Sequence, residues 1–210
     1  MNAPPFVEAV KYVPPEKGID PLVALANSAL AGLRAAAVKV THPEVLCRGT
    51  ARTHWRAHYP SIDQANAGVL DALSRRDGIY AIFVGDPDGP WVLKYIGQTN
   101  ADGARQRIRS HVVWRNKETP SGRSTGSKFD EVCEAVSTCK HVGLSFVAIE
   151  PGSLRHYVEA VLIRRFRPPW NSHGASHRHA TADADDCTWP RLPPHGELVV
   201  SEVALAGVAP

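Results

Sequence analysis

Two short runs, GIYAIFV from Gly78 and WVLKYIGQT from Trp91, are rich in β-branched and aromatic residues. Between them GDPDGP is turn chemistry, with Gly and Pro setting special φ values and Asp tolerating them, so the stretch reads as a β-hairpin. If Val84 pairs with Trp91, Tyr80 stands opposite Tyr95, at the Cβ separation of about 4.5 to 5.5 Å usual for such pairs. A slip of two residues keeps the phenols together diagonally, whereas a slip of one sends them to opposite faces. Elsewhere the apolar spacing is helical. Leu22, Leu25, Ala29, Leu33 and Ala36 follow Asp20-Pro21, an N-cap and first-turn signature. Ile62, Ala65, Val69 and Leu73 predict a second helix ending near Arg75-Arg76. Ala104, Ile108 and Val112 give a third, capped by Asn100 or Asp102, with its stripe towards the sheet. Phe129 to Ser137 reads as a helix, Val142 to Ile149 as a third strand, and Leu154 onward as a last helix.

The third helix carries polar groups beside its apolar stripe. Arg107 and His111 are four residues apart and stack on one flank, while Arg105 and Arg109 point elsewhere. On the last helix Glu159 lies at the edge of a stripe formed with Val158, Leu162 and Ile163. Pro168-Pro169 ends that helix, and Asn171 falls just beyond.

Taken together these residues resemble the GIY-YIG nucleases: GIY at Gly78 to Tyr80, YIG at Tyr95 to Gly97, then Arg107 and His111, Glu159 within a helix, and Asn171 after the Pro-Pro break. Five elements in order cover residues 78 to 171. Two extra residues before the arginine and a long polar insertion after His111 depart from the family pattern. RRFRPPWN is most like the restriction-enzyme branch. The resemblance implies an α+β fold, a small antiparallel sheet of about three strands flanked by helices. Three parts are expected: a helical and basic extension over 1–76, the nuclease core over 77–171, and an irregular tail over 172–210. It further implies a metal-dependent endonuclease cutting duplex DNA at a specific site, leaving 5′-phosphate and 3′-hydroxyl ends. Tyr80, Tyr95, Arg107, His111, Glu159 and Asn171 are its expected catalytic residues. Either tyrosine is a candidate to activate water, with His111 as proton acceptor, Arg107 on the scissile phosphate and Asn171 orienting the site. Glu159 is the expected ligand of Mg²⁺, or of another divalent cation such as Mn²⁺, since one carboxylate with substrate phosphate and water suits Mg²⁺. The plainer reading of Glu159 is an ion pair with Arg155 one turn earlier.

Charge and composition add the partner. Formal net charge is only +3, but 17 of the 24 basic residues are Arg, whose fork matches phosphate bidentately. Arg52 and Arg56 are interleaved with His54, Trp55, His58 and Tyr59. That segment either grips a nucleic-acid strand or is a connection whose aromatics pack on the domain. Residues 115–128 carry Arg115, Lys117, Arg123 and Lys128 against one acid, Glu118, and form a basic loop suited to DNA. A palindromic site cut in both strands favours two copies related by a two-fold axis. Single-strand and structure-specific nucleases of the same kind, and a non-catalytic DNA-binding protein, are the competing functions. No apolar run approaches a membrane span and no secretory signal is visible, which points to the cytoplasm. Cys47, Cys133, Cys139 and Cys187 form no CxxC pair and read as free thiols. His173, His177, His179 and Cys187 fit no usual zinc spacing.

Overall fold

The computed structural model describes residues 9–12, 21–47, 52–116, 127–171 and 188–189. Its centre is an antiparallel trio: β3 (Gly78–Gly85) lies between β4 (Trp91–Thr99) and β5 (His141–Glu150). Short strands extend the trio. β1 (Val10–Lys11) runs parallel to the end of β5, β2 (Val38–Val40) pairs antiparallel with its beginning, and β6 (Thr188–Trp189) pairs with the start of β4. The chain is therefore α+β, but among the described residues its sheet has six strands and is mixed rather than three-stranded and antiparallel. Two-residue and three-residue strands carry too few positions for alternation to announce them.

Alternate residues of β3 go to opposite faces. Ile79, Ala81 and Phe83 meet α1 (Pro21–Ala35) and α6 (Arg155–Phe166) in a core with Leu25, Leu30, Leu33, Val158, Leu162 and Phe166. Tyr80 and Ile82 face a second core on the other side, built from α2 (Arg52–Ala65), α3 (Ala67–Ala72), α4 (Ala104–Val112) and α5 (Phe129–Ser137). The amino-terminal helices thus cover the same sheet as the expected core.

The stretch from Arg52 is helical well before Ile62, where the sequence pattern places the helix start. Arg, His and an internal Pro60 obscure its periodicity. Trp55 is buried against His42 and Phe129, and Tyr59 stacks on Trp114 with ring centroids 5.4 Å apart. These aromatics pack on the domain. Asn66 breaks α2 from α3 and pins β2: it accepts the Thr41 N–H through Oδ1 and donates through Nδ2 to the carbonyls of Thr41 and Ile62. The expectation of free thiols fails for two cysteines. Cys47 and Cys139 are joined as a disulfide, bringing the segment after β2 to the turn before β5, a pairing that residue spacing does not encode. His173, His177, His179 and Cys187 lie outside the described residues.

Candidate active site

β3 and β4 bring the two tyrosines together by a route different from the simple hairpin. Near the turn Gly85 pairs with Trp91 and Phe83 with Leu93; beyond it Ile82 pairs with Tyr95 and Tyr80 with Gly97. The register shifts by one between these pairs, leaving Lys94 as an extra residue, a β-bulge. Against the expected Val84–Trp91 pairing the strands are slipped by one at the turn, which would send Tyr95 to the wrong face. The bulge adds a second step. Leu93 and Ile96 consequently both join the α1/α6 core, while Tyr95 turns to the other side. Tyr80 and Tyr95 are diagonal neighbours with ring centroids 5.9 Å apart.

Gly97 makes room for this pair. A Cβ there would stand 2.6 Å from Cζ and Oη of Tyr80 and 2.8 Å from Cε1 of Tyr95, so a larger residue displaces a ring. Gly78 is constrained similarly, its absent Cβ facing the Val147 carbonyl and the Phe146 ring. Outside β4, Asn171 imitates a strand. Its Oδ1 accepts the Ile96 N–H at 2.9 Å and its Nδ2 donates to the Ile96 carbonyl at 2.7 Å, while the Trp170 N–H donates to Lys94 O. Asn171 therefore holds the strand immediately before Gly97 and touches no tyrosine hydroxyl.

From α4, Arg107 and His111 converge on one phenolic oxygen. Arg107 Nε donates to Tyr80 Oη at 3.1 Å, and His111 Nε2 lies 2.8 Å from the same atom. His111 Nδ1 accepts the main-chain N–H of Lys128 at 2.9 Å. An amide N–H only donates, so Nδ1 bears no proton, and the neutral ring carries its hydrogen on Nε2. His111 thus donates to Tyr80. The expected proton-acceptor role reverses, because the nitrogen facing the phenol is the protonated one. Burial, reinforced by the charges of Arg107, Lys128 and Arg115, lowers the His111 pKa to about 3 and keeps the ring neutral. Burial likewise pushes the Tyr80 phenol well above its ordinary value, the neighbouring Tyr95 adding to this and the Arg107 charge opposing it.

Glu159 reaches the same region from α6. Burial raises its carboxyl, against the opposing influence of the Arg107 charge and a hydrogen bond from the Gln98 main-chain N–H. The plainer reading of Glu159 does not describe this arrangement. Arg155 Nε donates to Gln98 Oε1 at 2.8 Å, its Nη1 donates to Gly152 O, and it pairs with Asp77 at 3.6 Å. Among the described residues no cluster of three or more His, Cys, Asp or Glu side chains is placed to hold a metal. A single carboxylate fits a cation that takes most of its ligands from phosphate and water, as Mg²⁺ does.

Beside this constellation opens a cleft of about 690 Å³ between the end of β4, α4 and the start of α6. Arg107, Arg109, Arg115 and Arg155 line it with Trp114 and the amides of Gln98, Asn100 and Asn116, and among the described residues no carboxylate does. Arg109 and Arg155 are held by Asp63 and Asp77 outside the lining. Of the basic residues expected on a DNA surface, Arg115 lines the cleft, and Arg109 and Arg155, which were not among them, line it too. Helical spacing puts Arg109 off the Arg107 flank, and Arg155 was matched to Glu159. Arg56 is exposed on α2 and does not line the cleft. Lys128 lies beside Tyr95 and His111 rather than on an outer loop. Lys117, Arg123 and the Arg52 side chain lie outside the described residues. Among the described residues no helix is long and apolar enough to cross a membrane. Comparison with protein-family models, curated proteins and solved structures returns no match.

Proposed function

We propose that the chain is a divalent-metal-dependent endonuclease of the GIY-YIG kind that hydrolyses phosphodiester bonds of DNA, cutting duplex DNA at a specific sequence. One observation carries the reading: a buried tyrosine oxygen receives hydrogen bonds from a guanidinium and an imidazole at the edge of an arginine-lined cleft that also adjoins a carboxylate. A structural core has no use for that arrangement, since burying polar groups costs free energy that an apolar residue at position 80 avoids.

Tyr80 acts as base through its phenolate: both hydrogen bonds it receives favour that form against the burial that keeps the hydroxyl protonated in the free protein, and the phenolic proton passes to solvent at the opened cleft before the phenolate accepts one from water. In the free protein Tyr80 is fully buried while Arg107, bonded to it, is exposed in the cleft. Phosphate binding to the terminal nitrogens of Arg107 leaves its Nε on Tyr80 and shifts the side chain enough to admit water to the hydroxyl, coupling capture of substrate to uncovering of the base. Arg107 then neutralises the extra charge that develops on the phosphoryl oxygens. Arg109, Arg115 and Arg155 bind neighbouring phosphates. Glu159 would hold Mg²⁺ or Mn²⁺, which when bound supplies charge stabilisation for the leaving 3′ oxygen. Asn171 keeps Gly97 and both tyrosine rings in register. Cutting both strands of a palindrome favours two copies related by a two-fold axis.

The test is cleavage of long duplex DNA and circular single-stranded DNA with Mg²⁺, comparing the wild type with Glu159→Ala. Discrete duplex fragments that vanish in the variant are expected. Cutting of the single strand only keeps the chemistry and removes duplex specificity. Equal cutting by the variant, or no cutting of either substrate, sinks the proposal.

A further inference from the structure

Lys128 is the last residue before α5, and it differs from the other basic residues expected on the DNA surface. Its side chain is only 12% exposed. Two hydrogen bonds attach the return of the insertion to the last turn of α4, and a third braces the return internally. Ser127 Oγ donates to Ser110 O at 2.8 Å, the Lys128 N–H donates to His111 Nδ1 at 2.9 Å, and the Phe129 N–H donates to Ser127 Oγ at 3.2 Å. The Lys128 ammonium has anchors of its own. It pairs with Glu131 at 3.3 Å and lies 5.6 Å from the centroid of the Tyr95 ring, within cation–π reach.

We propose that Lys128 is a positioning residue of the catalytic centre: its main-chain amide fixes His111 in the tautomer that donates to Tyr80, and its ammonium, seated on Tyr95 and Glu131, holds that amide in place. This inference rests on the nuclease reading and deepens it. The end of the insertion becomes part of the support beneath the reactive tyrosine, and His111 becomes a second donor alongside Arg107 instead of a base. No proton passes through His111 in this arrangement. The charged groups facing the ring are Arg107 from α4, Arg115 after α4, and Lys128 before α5, all cationic, which disfavours adding a proton to it.

The tautomer can be read without DNA or metal. In ¹⁵N spectra of the full chain, Nδ1 of His111 is expected to resonate as an unprotonated ring nitrogen and Nε2 as a protonated one. A ring protonated at Nδ1 overturns the proposal. Lys128→Ala should shift both signals towards averaged values and Lys128→Arg should restore them; an unchanged spectrum in Lys128→Ala overturns the anchoring role. Cleavage supplies the second arm. His111→Gln places an amide N–H near the position of Nε2 but has no basic nitrogen, so it should cut within about tenfold of wild type, while His111→Ala falls by about a hundredfold or more. A Gln variant as slow as Ala overturns the donor role. Failure of the parent reading looks different: the spectra then show the expected tautomer in a protein that cuts neither substrate.

Discussion

On the α1/α6 face of the sheet, Ile79, Ala81, Phe83, Ile96 and Val147 meet the helices through hydrocarbon. On the opposite face the alternate residues Tyr80 and Tyr95 meet Arg107 and His111 through polar atoms and ring contacts, within a surrounding apolar core. The same strands supply both. Hydrocarbon burial stabilises without regard to orientation, so the first face tolerates small adjustments of its contacts. The second depends on direction: each donor must find one oxygen, and a buried donor left unpaired costs about 1 to 3 kcal/mol. The first face should therefore set how stable the protein is, and the second what it does.

Exchange of a single group on each face tests that division. Tyr80→Phe should slow cleavage by about a thousandfold, about 4 kcal/mol in the barrier, with a melting temperature only a few degrees lower. Near-normal cleavage by this variant would remove Tyr80 from the chemistry. Phe83→Ala, one pleat away on the other face, should cost about 3 to 5 kcal/mol in urea unfolding, yet leave the cleavage rate of the folded fraction unchanged. A rate that falls in step with stability would show that the faces are coupled.

Acid should also distinguish them. His42, half-buried, and His111, buried, both lie on the tyrosine side, where desolvation lowers their pKa values to about 4 and about 3. The unfolded chain binds these two protons near pH 6.5 and the folded chain does not. Their stabilising contribution is thus present above pH 6.5 and is lost as pH falls, with a slope approaching about 1.4 kcal/mol per unit for each ring. His42→Gln should flatten the slope measured by urea unfolding between pH 6 and pH 4; an unaltered slope would place the acid sensitivity elsewhere. The smallest effect belongs to Ser145, which lies between Leu144 and Phe146 and so faces the hydrocarbon side. Its buried hydroxyl has no hydrogen-bond partner among the described residues. Ser145→Ala should be neutral or stabilise by up to about 1 kcal/mol, whereas measurable destabilisation would imply a partner for that oxygen.

Much of the candidate site was legible because each member sits on an element with a strong local signature. The turn GDPDGP announced the hairpin, the Ala104, Ile108 and Val112 stripe oriented Arg107 and His111, and Pro168-Pro169 placed Asn171 beyond α6. What stayed hidden depends on contacts between distant segments. Nothing near Lys128 signals that its amide meets a ring seventeen residues earlier. The Cys47–Cys139 bond spans 92 residues. Arg155 has a nearer apparent partner in Glu159 than the Asp77 it uses, because a helical pair is visible in sequence and a contact between strand end and helix start is not. Tyr95 shares the face of Tyr80, as expected, but through a slip of two residues of which a local bulge supplies half.

The bulge at Lys94 works like a change of reading frame: residues of β4 before it are read in one phase and those after it in the other. Because half of the shift is made inside the strand, the loop from Asp86 to Pro90 sets only the other half of the tyrosines' alignment. Deleting Lys94 would remove the extra residue and leave every pair in place, while pairing Lys94 into a regular ladder would turn Tyr95 to the other face.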